Sequence, residues 1–307
     1  MKWRKLGLIY NAAGENESLA GYAAVPIAEH LEGDVFRIYF SSRDVQNRSF
    51  TNFVDVDLKD PSRILHLSER PVISPGELGA FDDSGTMATW LTAFGDTRYL
   101  YYIGWNLGVT VPFRNSVGVC ISEKGGSFRK MYKGPILDRT KDEPHFCASC
   151  SVLRESEGWK MWYLNCTGWF NDSGKTMHRY HLKYAESSDG LNWVRPGIVA
   201  IDYESECEYA ISRPSVIREG GVYKMWFSSR GTKEIPLYRI RYAESSDGRT
   251  WMRKPVDFVG LDVSSSGWDS EMVCYPHVFD HNGKRYMLYN GNGYGRTGFG
   301  LAVLEEE

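Results

Sequence analysis

Lys183-Tyr184-Ala185-Glu186-Ser187-Ser188-Asp189-Gly190 runs on to Trp193, and the same pattern returns as Arg241-Tyr242-Ala243-Glu244-Ser245-Ser246-Asp247-Gly248 running on to Trp251. Upstream of each copy lies an aromatic segment, Trp159-Lys160-Met161-Trp162-Tyr163 and Tyr223-Lys224-Met225-Trp226-Phe227. Three further segments match it, starting at Phe36, Tyr99 and Tyr286, so that successive starts fall 63, 60, 64 and 63 residues apart. A period of this length sustained from end to end means a repeat architecture. Each unit reads as four short strands, A to D, rich in Val, Ile, Tyr, Phe and Trp and separated by Gly, Asn, Asp and Ser turns. Four-stranded sheets repeated radially are the blades of a propeller. The expected fold class is therefore all-β, a five-bladed β-propeller.

The two ends of the chain fit closure of such a ring. The fifth unit stops at its strand C, Gly298 to Leu304, and lacks a strand D. Trp3-Arg4-Lys5 resembles the strand D segments Trp193-Val194-Arg195 and Trp251-Met252-Arg253. The N-terminal strand is thus expected to complete the last blade and hide its open edge. Residues 1–307 are read as one domain, since no Pro-, Ser- or charge-rich linker divides them.

Composition excludes several classes. With 42% hydrophobic and 24% charged residues the chain is globular, and a formal net charge of −3 lacks the basic surplus that nucleic acid demands. No stretch approaches a membrane span or a secretory apolar region, so no membrane partner is expected and the cytoplasm is the expected compartment. The six cysteines are too sparse for a disulfide framework and are read as reduced. Cys147-x-x-Cys150 invites zinc, but alternate strand positions face apart and no second pair completes four ligands. No cofactor or metal is expected.

Strand direction sorts the connections. A–B and C–D turns emerge on one propeller face and are tight and polar; the Ser-Ser-Asp-Gly element reads there as an Asx-type turn with a Trp packed between blades. B–C loops and D–A connections emerge on the other face. The B–C loops are long and carry Arg43, Asp44, Trp105, Arg114, Trp169, His178, Arg230, Lys233 and Asn292. Each D–A connection carries carboxylates just before an inner strand, among them Asp82 and Asp83, Glu143, Glu208, and Asp269 with Glu271. Acids, aromatic faces and guanidinium groups around one mouth suit a carbohydrate or glycoconjugate ligand.

The repeated Lys-Met-Trp-aromatic and Tyr-Ala-Glu-Ser-Ser-Asp-Gly-x-x-Trp segments, with Trp268-Asp269-Ser270-x-x-Val273-x-x-Pro276-x-Val278, resemble the five-bladed propellers of the glycosidase superfamily that includes glycoside hydrolase families 32, 43 and 130. The likeness spans essentially the whole chain and is closest to small cytoplasmic members associated with surface-polysaccharide genes. It implies catalytic Asp residues immediately before Pro on inner strands. Here those positions hold Arg213 before Pro214, Tyr275 before Pro276, and Ser149 before Cys150.

If acid–base catalysis operates, its carboxylates belong to the D–A connections. Asp83, Glu143, Glu208 and Glu271 are the candidates, with Asp82 and Asp269 as further choices. Asp82, Glu143 and Asp269 share one offset before their strands, which also fits a structural turn role. Arg43, Arg213 and Arg230, with Asp44, Trp105, Arg114, Trp169, His178, His277 and Asn292, are the expected ligand contacts. The chain reads as a glycoside hydrolase-like enzyme. A glycoside phosphorylase, whose arginines would grip phosphate, and a non-catalytic propeller binding a carbohydrate or sugar nucleotide are the alternatives.

Overall fold

The computed structural model describes residues 1–231 and 236–305; Lys233 lies outside the described residues. The chain opens with β1 (Trp3–Tyr10). Blade one follows as β2 (Gly21–Glu32), β3 (Val35–Arg43), β4 (Ser49–Asp57) and β5 (Asp60–Leu67). Blade two is β6 (Gly85–Phe94), β7 (Thr97–Leu107), β8 (Phe113–Glu123) and β9 (Arg129–Lys130). Blade three is β10 (Cys147–Glu155), β11 (Gly158–Asp172), β12 (Lys175–Ser187) and β13 (Val199–Ile201). Blade four is β14 (Ala210–Glu219), β15 (Val222–Arg230), β16 (Arg239–Ser245) and β17 (Met252–Arg253). Blade five is β18 (Cys274–His281), β19 (Lys284–Asn290) and β20 (Phe299–Leu304), with β1 as its outermost strand.

Within each blade the strands pair antiparallel in order, and the sheets of blades one and two, like those of three and four, are joined by a single parallel backbone bridge, Ser49 with Gly85 and Tyr180 with Ala210. The ring closes as expected: Trp3 pairs with Leu304 and Tyr10 with Phe299 across the β1–β20 ladder. Joining first and last strands in one sheet removes the open edge a linear stack of blades would leave. Five apolar clusters fill the five spaces between neighbouring blades; Trp162, Met225 and Tyr223 pack between blades three and four, and Ile27, Tyr39 and Leu100 between one and two. Among the described residues no helix is long and apolar enough to cross a membrane. All six cysteines are free, and only Cys207 is exposed.

The two Ser-Ser-Asp-Gly turns bind blades three and four each to the blade before it. Asp189 accepts from the backbone N–H groups of Leu191 and Asn192, both at 2.8 Å, which bends the chain back on itself. Gly190 sits at φ +75°, where a Cβ would lie 3.0 Å from the Trp159 ring and from the Tyr101 hydroxyl. Its carbonyl accepts from the Tyr101 hydroxyl of blade two at 3.0 Å. In blade four the Gly248 carbonyl accepts from the Trp162 indole of blade three at 2.7 Å. The repeat that reveals the fold is therefore the joint that assembles it.

Candidate binding site at the hub

The B–C loops and D–A connections converge on one face around a cavity of about 660 Å³. Its floor is built by a defect common to the inner strands. The ladder slips between Ala24 and Ile27, Ala88 and Trp90, Cys147 and Cys150, Ser212 and Ser215, and Cys274 and His277. Proline supplies no N–H to the ladder, so bulges form readily at Pro26, Pro214 and Pro276. The preceding residues Val25, Arg213 and Tyr275 take left-handed φ values of 50°, 55° and 56°. All three line the cavity, as does Ser149. The inner-strand positions where the resembling glycosidases place catalytic Asp thus face the hub here and hold no acid.

Three arginines line the cavity. Arg213 is fully buried; it donates through Nη1 to Thr89 Oγ1 at 3.0 Å and to the Thr89 carbonyl, and through Nη2 to the Pro26 carbonyl at 3.0 Å, while its Nε has no partner. Burial pulls its pKa down to about 10, which still leaves it charged near neutrality. Arg43 lies 5.3 Å from the Tyr22 ring and 5.5 Å from the Trp105 ring and donates to Asn47. Neither Arg43 nor Arg213 meets a carboxylate among the described residues. Arg230 lies over the rings of Tyr209, Tyr238 and Tyr294 at 4.7 to 5.4 Å and donates to the Tyr294 hydroxyl.

His178 stacks on Tyr180 with ring centroids 4.8 Å apart, and the Tyr180 and Tyr238 hydroxyls share a hydrogen bond. Burial, reinforced by the charge of Arg230, lowers the His178 pKa to about 4, so the ring is neutral near pH 7. Tyr22, Tyr180, Tyr238, Tyr275 and Tyr294 all line the cavity, and apart from Tyr275 ahead of Pro276 nothing in the sequence singles them out from the structural tyrosines of every blade. Among the described residues no Asp or Glu lines it.

The D–A carboxylates are turned away into the blades. Glu143 receives Lys183 at 2.6 Å, Arg195 at 2.8 Å and the Tyr163 hydroxyl at 2.9 Å. Burial alone would raise its pKa, but the hydrogen bonds and charges of Lys183, Tyr163 and Arg195 hold it below the ordinary value. Glu208 is gripped by both terminal Arg253 nitrogens, Nη1 and Nη2, at 2.9 Å and by Ser229. There too burial opposes, and the Arg253 hydrogen bond and charge outweigh it. Asp82 pairs with Lys130 and Asp269 with Lys5, each at 2.6 Å, and Tyr102 and Tyr289 donate to them. In four blades, then, a carboxylate ahead of strand A locks onto the basic residue of the strand D motif, Phe128-x-Lys130, Trp193-x-Arg195, Trp251-x-Arg253 or Trp3-x-Lys5.

The other candidates scatter. Asp83 accepts from Gly79 N–H, Ser84 and Asn106, and Glu271 is exposed with its carbonyl bound by Arg239. Asp44 pairs with Arg48, Arg114 is exposed, and Asn292 accepts from the Glu271 and Met272 N–H groups. Trp105 lines the cavity while its indole donates to Ser49 at 2.7 Å. Trp169 packs on Phe113, Phe146 and His178 behind the wall. His277 is buried beneath the floor against Trp90, kept neutral by burial and the nearby Arg213 charge. The glycine-rich segment after β19 forms a short turn that delivers Tyr294 to the cavity.

This architecture matches solved structures closely. A complex of BT0996 with RGII superposes with a TM-score of 0.76 at 18% identity, covering 98% of this chain and 92% of that one. A thermostable family-43 glycoside hydrolase gives 0.68 at 15% identity, covering 93% and 90%. The GH32 beta-fructofuranosidase BmSUC1 of Bombyx mori gives 0.64 at 15% identity, covering 92% of this chain and 59% of that one. The chain shares the β-propeller fold of these glycoside hydrolases. No family model matches the sequence. Two proteins of Mycobacterium tuberculosis, uncharacterized protein MT1551 and uncharacterized protein Rv1502, are each 46% identical over 305 residues, covering 99% of this chain and all of the relative. The chain belongs to the same family as these two.

Proposed function

We propose that the hub cavity binds a carbohydrate bearing an anionic group, a carboxylate or a phosphate, and that this is the activity of the molecule. The observation that carries it is the pair Arg43 and Arg213, two guanidinium groups on one cavity with no carboxylate partner among the described residues. A charge removed from water without a counter-ion is costly. An anionic substituent supplies the missing charge, and Arg grips carboxylate and phosphate through paired hydrogen bonds. Tyr22, Tyr275 and Tyr294 add flat apolar faces for a sugar ring.

Binding is favoured over hydrolysis by paired carboxylates, because Asp83, Glu143, Glu208 and Glu271 do not line the cavity. Calorimetric titration with uronic acids, sugar phosphates and sugar nucleotides, against their neutral parent sugars, tests it. Anionic ligands bind and Arg43→Gln weakens them about tenfold, as loss of one charge-assisted contact requires. Equal binding of neutral and anionic sugars sinks the reading. Release of a free sugar from a bound glycoside by the wild type that vanishes in Glu143→Gln or Glu208→Gln variants that remain folded would replace it with carboxylate catalysis.

A further inference from the structure

Among the described residues nine that are not glycine take left-handed φ values. Three of them, Lys124, Ser173 and Asn282, each stand before a glycine that is also left-handed, the backbone of a type I′ turn. The other six, Tyr22, Val25, Asn47, Arg213, Tyr275 and Tyr294, all line the hub cavity. A bulky side chain at such a φ carries a local cost, and backbone of this kind gathers where a site holds a group ready. Two of the six, Asn47 and Tyr275, bear directly on Arg43.

Asn47, at φ 65°, turns both its carbonyl and its side-chain Oδ1 onto a single nitrogen of Arg43, Nη1, at 3.0 and 2.8 Å. That grip leaves Nε and Nη2, the guanidinium edge that meets a carboxylate or phosphate through two parallel hydrogen bonds. Burial lowers the Arg43 pKa and the Tyr22 and Tyr275 phenols oppose the shift, so both lie within electrostatic reach of the guanidinium. The Tyr22 hydroxyl already accepts from Arg296 at 3.2 Å, and the Tyr294 hydroxyl from Arg230. The Tyr275 hydroxyl meets no partner among the described residues. Its ring packs on Tyr238 with centroids 5.7 Å apart, and its N–H donates to Ser228 at 2.8 Å, which holds the side chain in place without engaging the hydroxyl. Burial also keeps that hydroxyl protonated, so toward an anion it is a donor. A carboxylate in the same place would repel the group that a phenol attracts. We infer that the Tyr275 hydroxyl and the open edge of Arg43 grip the anionic group of the ligand together, with Asn47 as the residue that positions the arginine. The inference rests on the reading of the hub cavity as a site for an anionic sugar and names the groups that make it selective.

Calorimetric titration with uronic acids, sugar phosphates and sugar nucleotides first identifies the acidic sugar that the wild type binds most tightly, and that sugar and its neutral parent are the probes. Tyr275→Phe keeps the ring and the backbone, so it melts with the wild type. It binds the acidic sugar about tenfold more weakly and the neutral parent unchanged. Asn47→Gly retains the left-handed backbone, loses the Oδ1 contact and weakens the acidic sugar about threefold. In an Arg43→Gln background the effect of Tyr275→Phe shrinks below about threefold, because the two groups act on one anion; a side chain that only packs the wall would show no such coupling. Unchanged binding by Tyr275→Phe, equal losses for the acidic and neutral sugars, or a full tenfold effect retained beside Arg43→Gln overturns the inference. A wild type that prefers the acidic sugar while Tyr275→Phe is indifferent fails this inference alone. A wild type that binds acidic and neutral sugars alike, or none of the series, fails the underlying reading as well.

Discussion

The Arg213 guanidinium donates to the Pro26 carbonyl oxygen at 3.0 Å, linking the inner strand of blade four to that of blade one, which is not its neighbour in the ring. The same group reaches Thr89 of blade two, so one side chain spans the hub to the two blades opposite its own. Its bulged backbone, at φ 55°, aims it there. The cross-link seals the cavity floor with a charge that no acid neutralises among the described residues.

Lysine cannot repeat that span, since one ammonium replaces a planar fork of donors. Arg213→Lys is expected to lose about 2 kcal/mol of stability from the buried carbonyls left unpaired. Urea unfolding measures it; an unchanged midpoint would show that the cross-link contributes nothing.

Glu143→Gln should leave Lys183 and Arg195 facing a neutral amide in a buried setting, at a cost of about 3 kcal/mol. Because Glu143 does not line the cavity, binding of an anionic sugar should be unaffected at temperatures where the variant is folded. Paired unfolding and titration experiments separate the two effects, and loss of binding in folded protein would return Glu143 to the site.

Acid should destabilise the protein in two overlapping stages. The folded state keeps His178 neutral down to about 4, whereas the unfolded chain takes up the proton near 6.5, so stability falls as pH drops through that interval. Glu143 and Glu208 have lowered folded pKa values; their contribution is complete above the ordinary value of 4.5 and is lost as pH falls below it. His178→Phe, which keeps an aromatic ring against Tyr180, should make the melting-temperature profile less steep between about pH 6.5 and 4.5, where buried His277 and His181 supply the remaining slope, while leaving the loss below unchanged. A profile identical to the wild type would refute the assignment.

Gly190→Ala places a Cβ against Trp159 and Tyr101 at a backbone conformation that L residues disfavour. The expected loss is about 2 kcal/mol, combining left-handed strain and a disturbed joint between blades two and three. Gly33→Ala, at φ +53° with nothing within 4 Å, has only the backbone strain and should lose less. Equal melting temperatures for the two variants would show that the Gly190 carbonyl joint is unimportant.

Several features of the site were open to sequence reasoning because strand direction alone decides which end of a blade a loop leaves. Strand direction put Arg43, Trp105, His178 and Arg230 on the face where the cavity opens, and Arg213 and Tyr275, each ahead of a proline, line the same cavity. It could not separate Glu143 or Glu208 from ligand contacts, because a carboxylate beside an inner strand looks the same whether it turns toward the hub or toward strand D. The equal offset of Asp82, Glu143 and Asp269, together with the aromatic-x-basic segments in strand D, was the available sign of a repeated internal pairing.

The repeat period, the five blades, the closing strand and the looped face followed from the chain alone, because each depends on the local chemistry of short strands and turns written out five times. Only the tertiary structure decided which side chains share the cavity. Glu143 meets Arg195 from 52 residues away, and Lys5 meets Asp269 from 264. The first pairing, like the bulges that turn Arg213 and Tyr275 inward, exists only once a blade's strands lie side by side, and the second only once β1 has closed the last blade.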